Sequence, residues 1–224
     1  MRPRALLLDA LGTLLELEPP APHLQAELAR RFGVSITEAQ AREAIAAEIA
    51  YYRAHLDEGR DREALADLRS RCAQALAAAL PSDPRIAEID GRSLTETLLA
   101  AIRFRPFDDV RPALVAARER GQRLVVVSNW DVSLEEALER LELAPLIDAV
   151  VTSAGFGARK PSPAIFEHAL AVAEVAASEA LHAGDSVEED IAGARAAGIE
   201  AVLVRRDGAP GPPGTRTIAT LAEL

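Results

Sequence analysis

The sequence predicts an α/β protein with a doubly wound parallel sheet, interrupted once by an inserted all-helical subdomain. Five short apolar segments, several of them rich in valine, are too short for helices and are typical of buried parallel strands. Helical patterns alternate with the later segments, as expected for a sheet built with right-handed crossovers. This alternation fails only after the first segment, where a long stretch shows helical patterns without a convincing strand.

Five segments of the chain are candidate strands. They are Ala5–Leu8, Leu124–Val127, Ala149–Val151, Ala180–Ala183 and Ala201–Val204. Between the first two lies a helix that starts near Pro112 and is expected to end at Gly121. The helix after the fourth strand is expected to end at Gly198, since glycine is the usual C-terminal cap.

The stretch after the first strand predicts four helices, because apolar residues recur there every three or four positions. The four apolar faces are Leu24, Leu28 and Phe32; then Ile45, Ile49, Tyr52 and Leu56; then Leu65, Leu68, Cys72 and Leu76; and finally Leu94, Leu98 and Ile102. Ser35 and Glu38 fit a capping box at the start of the second helix. We therefore predict a core domain of residues 1–16 and 104–224, with a helical cap subdomain of residues 17–103.

Composition limits the possible functions. The chain has 224 residues, 49% of them hydrophobic, and a net charge of −10, which disfavours tight binding to nucleic acid or an anionic membrane. No apolar run approaches the roughly 20 residues of a membrane span, and Asp9 interrupts the N-terminal apolar run, so a signal peptide fits poorly. Cys72 is the single cysteine, which rules out an internal disulfide. We expect a soluble cytoplasmic protein that is a monomer or a weak homodimer.

Lys160 is the only lysine, whereas the other 24 basic residues are arginine. Lysine carries a compact point charge and arginine a planar fork, so a site that crowds anionic oxygens around one small cation would exclude arginine. Lys160 follows a short loop and precedes Pro161, where a helix is expected to begin. Lys160 alone fits two interpretations: its ammonium is functional, or a lysine-poor chain has its last lysine there by chance.

Chemistry-bearing residues follow the candidate strands at their carboxyl ends, the edge where open α/β sheets bind ligands. These residues are Asp9, Ser128, Lys160 and Asp185. Two carboxylates at one edge repel each other and favour a divalent cation, and oxygen ligands favour Mg²⁺. An aspartate beside it can attack phosphorus, while the hydroxyl and the ammonium hold phosphoryl oxygens. The pattern predicts phosphoryl chemistry.

Four motifs in order resemble those of the haloacid dehalogenase superfamily across nearly the whole chain. They are DALGTL (Asp9–Leu14), VVVSN (Val125–Asn129), ARKPSPAIF (Ala158–Phe166) and HAGDSVEEDIAGARAAG (His182–Gly198). The resemblance implies a Rossmann-like core with an inserted helical cap. It implies that Asp9 is the nucleophile, Ser128 the phosphate-binding hydroxyl, and Lys160 the partner of both Asp9 and the phosphate.

The resemblance also implies a Mg²⁺ site and a small phosphorylated substrate. Asp9, the main-chain carbonyl of Leu11 and Asp185 would ligate the metal, with Asp190 or Glu189 holding its waters. Candidate substrate contacts are Gly12, Thr13 and Asn129 within the motifs, Trp130 directly after the second motif, and Tyr51 and Arg53 in the cap. Trp130 is equally suited to line the substrate pocket or to cover the hydrophobic core. His182 is expected to be a core residue whose hydrogen bonds are satisfied.

Position 11 departs from the family pattern. Most phosphatases of the superfamily carry there a second aspartate, which protonates the leaving group, and this chain has Leu11. General acid–base catalysis is worth about 10²–10⁴-fold, so we expect weak turnover of alkyl phosphates and a smaller handicap for aryl or acyl phosphates. Two alternatives stay open: a hydrolytic 2-haloacid dehalogenase, whose halide leaves without a proton, and a non-catalytic protein that binds a phosphate ligand.

Overall fold

The computed structural model describes residues 2–224 of the chain. The chain divides into two compact units, one of Met1–Glu16 and Arg105–Leu224 and the other of Leu17–Phe104. In chain order the strands and helices are β1 (Ala5–Leu8), β2 (Leu15–Leu17), α1 (Pro20–Phe32), α2 (Glu38–His55), α3 (Arg62–Ala79), α4 (Pro84–Ala87), α5 (Gly91–Ala101), β3 (Phe104–Pro106), α6 (Val110–Glu119), β4 (Arg123–Ser128), α7 (Leu134–Arg140), β5 (Ala149–Thr152), α8 (Ser153–Phe156), α9 (Pro163–Ala173), β6 (Ala180–Gly184), a π-helical segment (Val187–Ala192), α10 (Gly193–Ala196), β7 (Glu200–Val204) and β8 (Thr217–Ile218). Short 3₁₀ turns occupy Leu56–Glu58, Ala144–Leu146, Ala177–Glu179 and Leu221–Glu223.

The larger unit is built on a six-stranded sheet in the order β5-β4-β1-β6-β7-β8. Its neighbouring strands pair in parallel. From β1 the chain adds β4 and β5 on one side, then returns to add β6, β7 and β8 on the other. The direction of winding therefore reverses next to β1, and ligands of doubly wound folds bind at such a switch point.

The predicted fold class is confirmed, and the strands form where the apolar segments predicted them. All four residues of β1 are buried, as are the last five residues of β4. Strands buried on both faces need continuous apolar runs instead of alternation, and these segments supply them. The prediction missed β8, which has only two residues and carries no apolar run long enough to indicate a strand.

The smaller unit contains four long helices and the one-turn helix α4, which was not predicted. Its own apolar core draws on α1, α2, α3 and α5. The predicted capping box was wrong: Thr37 caps α2, and its hydroxyl accepts a hydrogen bond from the Gln40 N–H. The Gln40 side chain accepts in return from the Thr37 N–H at 2.9 Å.

Two short strands lie where the chain passes from one unit to the other. β2 and β3 form a separate two-stranded sheet. Among residues 2–224, no helix combines the length and the apolar character needed to cross a bilayer.

Candidate active site

The three central strands of the sheet bring the predicted site residues to one edge. Leu8 of β1 pairs with Val126 of β4 on one side and with Ala183 of β6 on the other. The residues that continue beyond these pairs therefore lie side by side at the carboxyl ends of the strands. Asp9 comes directly after β1, and Ser128 is the last residue of β4.

Asp9 is held by two donors on a single oxygen. Its Oδ1 accepts from the Ser128 hydroxyl at 3.1 Å and from the Lys160 ammonium at 2.7 Å. Within the described chain both of these side-chain bonds go to Oδ1, which orients the carboxylate and leaves Oδ2 for a ligand. Burial raises the pKa of Asp9 to about 6, against the opposing charge of Lys160.

Lys160 lies between two carboxylates and is 1% exposed. Its Nζ is 2.7 Å from Asp9 Oδ1 and 2.5 Å from Asp190 Oδ1. Burial by itself lowers the pKa of a lysine, but the two carboxylates outweigh it and hold the Lys160 pKa above its ordinary value. The single lysine is thus a charged ammonium in a space shared by three ionic groups.

Asn129 positions Lys160 through its backbone. The Asn129 side-chain amide donates to the Lys160 carbonyl at 3.0 Å and accepts from the Lys160 N–H at 2.8 Å. This reciprocal pair ties the end of β4 to the loop that carries the ammonium. The predicted role of Asn129 in contacting substrate stays a prediction, because its carbonyl and one of its N–H groups are used here.

Asp190 belongs to the π-helical segment and supports Lys160 from the far side. Its Oδ1 accepts from Lys160 and also from His182 Nε2 at 3.0 Å, and its Oδ2 accepts from the Ser186 N–H at 2.9 Å. Burial raises the pKa of a carboxyl, but the charge of Lys160 and the bond from His182 lower the Asp190 pKa well below its usual range. Gly184 makes room for this carboxyl, since a Cβ at that position would overlap with it.

His182 lies in the interior of β6 and is fully buried. As expected it is a core residue, and it packs edge-on against Phe166 with 5.0 Å between ring centroids. Its link to the site, however, was missed by sequence reasoning. Its Nε2 bonds Asp190, whereas Nδ1 has no hydrogen-bond partner in the part of the chain that the structure describes. A polar residue inside an otherwise apolar strand was the one signal that could have shown this link.

Three carboxylates come close enough to share a cation. Asp9, Asp185 and Asp190 each offer one oxygen, and these oxygens lie within 4.8 Å of one another. Gly12, at φ +85°, makes room for Asp185, because a Cβ there would overlap with the carboxylate. An all-oxygen set at an accessible edge suits Mg²⁺. Asp190 already accepts three hydrogen bonds, which agrees better with holding metal-bound water than with direct ligation.

The remaining predicted site residues fall into two groups. In the core unit, Thr13 is fully buried, Trp130 is 7% exposed, and Leu11 is an exposed leucine at 38%. Tyr51 and Arg53 belong to the helical unit. There the Tyr51 ring stacks on a histidine of its own helix, and Arg53 is exposed. Their predicted contacts with substrate stay predictions.

Comparison with known proteins identifies relatives. A family model described as haloacid dehalogenase-like hydrolase matches residues 3–198. Haloacid dehalogenase-like hydrolase domain-containing protein 3 of Bos taurus is 45% identical over 91 residues, covering 41% of this chain and 36% of that protein. Glyceraldehyde 3-phosphate phosphatase of Methanopyrus kandleri is 39% identical over 104 residues, covering 46% of this chain and 45% of that protein. The chain therefore spans less than half the length of these two relatives.

Two solved structures also match over the whole length of this chain. The crystal structure of a HAD phosphatase from Thermococcus onnurineus has a TM-score of 0.67 and 26% sequence identity, covering 100% of this chain and 95% of that one. The crystal structure of a 2-haloacid dehalogenase from Pseudomonas syringae pv. Tomato has a TM-score of 0.65 and 25% identity, covering 100% and 96%.

Proposed function

The chain belongs to the haloacid dehalogenase-like hydrolases, and we propose that it is a Mg²⁺-dependent phosphohydrolase of small phosphorylated metabolites. One observation carries the proposal: a buried ammonium binds Asp9 Oδ1 and leaves Oδ2 for attack on phosphorus. Relatives named as phosphatases support this choice. The core residues Asp9, Ser128 and Lys160 carry the chemistry.

The proposed first step is transfer of the phosphoryl group to Asp9. Oδ2 attacks phosphorus, the bond from phosphorus to the leaving oxygen breaks, and an aspartyl-phosphate forms. The Ser128 hydroxyl and the Lys160 ammonium, both already beside Asp9, bind phosphoryl oxygens as their negative charge shifts. Water then hydrolyses the acyl phosphate and restores the carboxylate.

The carboxylates of Asp9 and Asp185 fit a Mg²⁺ ion, with Asp190 holding its waters. Such an ion, when bound, offsets the charge of the phosphoryl group and orients it for in-line attack. The protein's own contribution is to keep Asp9 ionised against its burial, which Lys160 does. Asp190 in turn keeps Lys160 in place.

The nature of the leaving group narrows the substrate class. Leu11 supplies no proton at the position where family phosphatases carry an acid, and its side chain is 38% exposed. A departing alkoxide needs that proton, whereas an aryl oxide or a carboxylate leaves without it. We therefore propose aryl or acyl phosphates as the preferred substrates.

The experiment that tests the proposal compares two substrates, an aryl phosphate and a 2-haloacid, each with Mg²⁺ and with chelator. Phosphate release that chelator abolishes is the expected result. Halide release that is insensitive to chelator would instead establish the second candidate, a 2-haloacid dehalogenase, which the missing acid favours because halide leaves unprotonated. No product in any arm would leave phosphate binding as the remaining function.

Position 11 offers a direct test of the missing acid. Leu11→Asp restores a carboxyl group beside the nucleophile, and we expect alkyl phosphate hydrolysis to rise by about 10²-fold while aryl phosphate hydrolysis changes little. The measurement is kcat/KM for matched alkyl and aryl phosphates. Leu99, exposed to 42% in the helical unit, provides the control variant Leu99→Asp. An unchanged ratio of alkyl to aryl rates in Leu11→Asp would refute the missing-acid explanation.

A further inference from the structure

The loop after Asp9 is folded tightly by its own backbone. The Ala10 carbonyl accepts from the N–H groups of Leu14 and Leu15, both at 2.8 Å, and more weakly from Thr13 at 3.4 Å. The Gly12 N–H donates to the Leu15 carbonyl at 2.7 Å. These bonds give the loop its shape, but they are internal to it. Something outside the loop must fix its place relative to the rest of the sheet edge.

Arg206, which follows β7, binds this loop from outside. Its Nη2 donates to the Thr13 carbonyl, and its Nη1 donates to both carboxylate oxygens of Asp109 at 2.9 and 2.7 Å. The guanidinium lies 4.2 Å from the centre of the Phe107 ring. Only 17% of the Arg206 side chain is exposed, so these bonds are largely shielded from water.

Asp109, the carboxylate that binds Arg206, is itself fixed by further hydrogen bonds. Asp109 accepts from the Thr220 hydroxyl at 2.7 Å and from the Leu221 N–H at 2.6 Å. Burial raises the pKa of Asp109, but bonds from Arg206 and Thr220 outweigh it and hold the pKa below the usual range. Asp109 therefore stays charged and presents a fixed partner to the arginine.

A second bond comes from the same segment. The Phe107 N–H donates to the Leu14 carbonyl at 3.1 Å. The catalytic loop is thus bound at two successive carbonyls, at Thr13 by Arg206 and at Leu14 by Phe107. Removing the guanidinium would leave the carbonyl of a fully buried residue, Thr13, without this donor.

We infer that Arg206 is a positioning residue for the reaction: one planar guanidinium, shared between Asp109 and the Thr13 carbonyl, holds the loop that carries Leu11 and Gly12 in register with Asp9. Its catalytic consequence rests on the proposed function, but its structural consequence does not. Lysine cannot replace it fully, because a single ammonium does not present two parallel donors to separate acceptors.

Hydrogen–deuterium exchange of the full-length protein tests the structural part. Arg206→Met is expected to speed exchange at the amides of residues 12–15 by about tenfold or more, since the loop then opens locally. Exchange in β4 and α9 should not change. Arg205→Met is the matched control, because the neighbouring Arg205 is more exposed, at 37%, and its side chain pairs with Asp207.

Exchange at residues 12–15 that stays at the wild-type rate in Arg206→Met would overturn the inference. If Arg206→Met does not fold, Arg206→Lys takes its place, and it should speed exchange in the same loop less strongly. If Arg206→Met does not fold and Arg206→Lys exchanges at the wild-type rate, the planar guanidinium is not required. That result would equally overturn the inference.

Kinetics with an aryl phosphate test the catalytic part. We expect kcat to fall about tenfold in Arg206→Met while KM changes less than twofold, because the loop affects alignment more than binding. Arg205→Met should keep both constants. If loop exchange is faster in Arg206→Met but no protein, wild type included, turns over the substrate, the proposed function is rejected and the positioning role of Arg206 stands. If Arg206→Met shows normal turnover and normal exchange, the positioning role of Arg206 is rejected and the proposed function stands.

Discussion

Two carboxylates, one in each unit, are buried to a similar degree and respond in opposite ways. Asp190 in the sheet unit is 1% exposed, and Glu48 in α2 of the helical unit is 6% exposed. The Asp190 pKa is held well below its usual range, whereas burial raises the pKa of Glu48 to about 7. The two groups share their burial, so burial alone does not decide whether a carboxyl stays charged.

The groups that surround each carboxyl decide whether it stays charged. Asp190 receives bonds from an ammonium, an imidazole and a backbone N–H. Glu48 has the Cys72 thiol as the group that opposes its burial, and a thiol is a weak donor. Counter-charge and hydrogen-bond donors in the sheet unit therefore keep Asp190 ionised despite its burial. Within the described part of the helical unit Glu48 has no such counter-charge, and its carboxyl is neutral over much of the acidic pH range.

Removing the counter-charge should have the largest effect. Lys160→Met leaves Asp9 and Asp190 facing each other without a cation, and breaking a buried pair in this way costs about 3–5 kcal/mol of unfolding free energy. Urea denaturation at pH 7 measures the loss, and aryl phosphate turnover should disappear with it. Arg159→Met, at the exposed neighbouring position, is the control. A loss below about 1 kcal/mol would contradict the assignment of Lys160 as the counter-charge.

Glu48 should give the next largest effect, and it depends on pH. Its pKa is about 7 in the folded protein against an ordinary value of 4.5 for a glutamate, so between these values the folded state holds a proton that the unfolded state has released. Stability therefore falls as pH rises from about 4.5 to about 7, by on the order of 3 kcal/mol in total. Glu48→Gln should remove this part of the pH dependence, measured by urea denaturation at pH 5 and pH 8.

Glu43, exposed on the same helix, supplies the matched control for that experiment. Glu43→Gln should keep the wild-type fall in stability between the two pH values. Equal pH profiles for wild type and Glu48→Gln would show that the buried carboxyl is not the group that titrates.

The smallest expected effect comes from removing one donor of Asp190 while its cation stays. His182→Leu deletes the bond from Nε2, whereas His182→Gln can present an amide N–H near the same place. We expect the leucine variant to be less stable than the glutamine variant by about 1.5–3 kcal/mol, the cost of a lost hydrogen bond to a charged group. Thermal unfolding at pH 7 compares the two. Equal stability would mean that Lys160 and Ser186 alone hold Asp190.

Much of the fold could be predicted because its signals are local. Runs of apolar residues such as Ala5–Leu8 mark strands without reference to any other part of the chain. The failures are local too. Ser35 with Glu38 and Thr37 with Gln40 both suit a helix start, and the sequence pattern does not choose between them. In the structure α1 ends at Phe32 with Gly33 as its C-terminal cap, and the chain reaches the first turn of α2 with Thr37 in the cap position.

The sequence by itself determined the alternation of strands and helices, the insertion after β1, and the set of polar residues at strand ends. Only the tertiary structure decided that Lys160 pairs with Asp190 as well as Asp9, and that Arg206 reaches the Thr13 carbonyl. Those partners are 30, 151 and 193 residues apart. Periodicity records which face of an element is apolar, whereas a hydrogen bond depends on strand register and on how closely backbones approach. These quantities arise only when distant segments pack together.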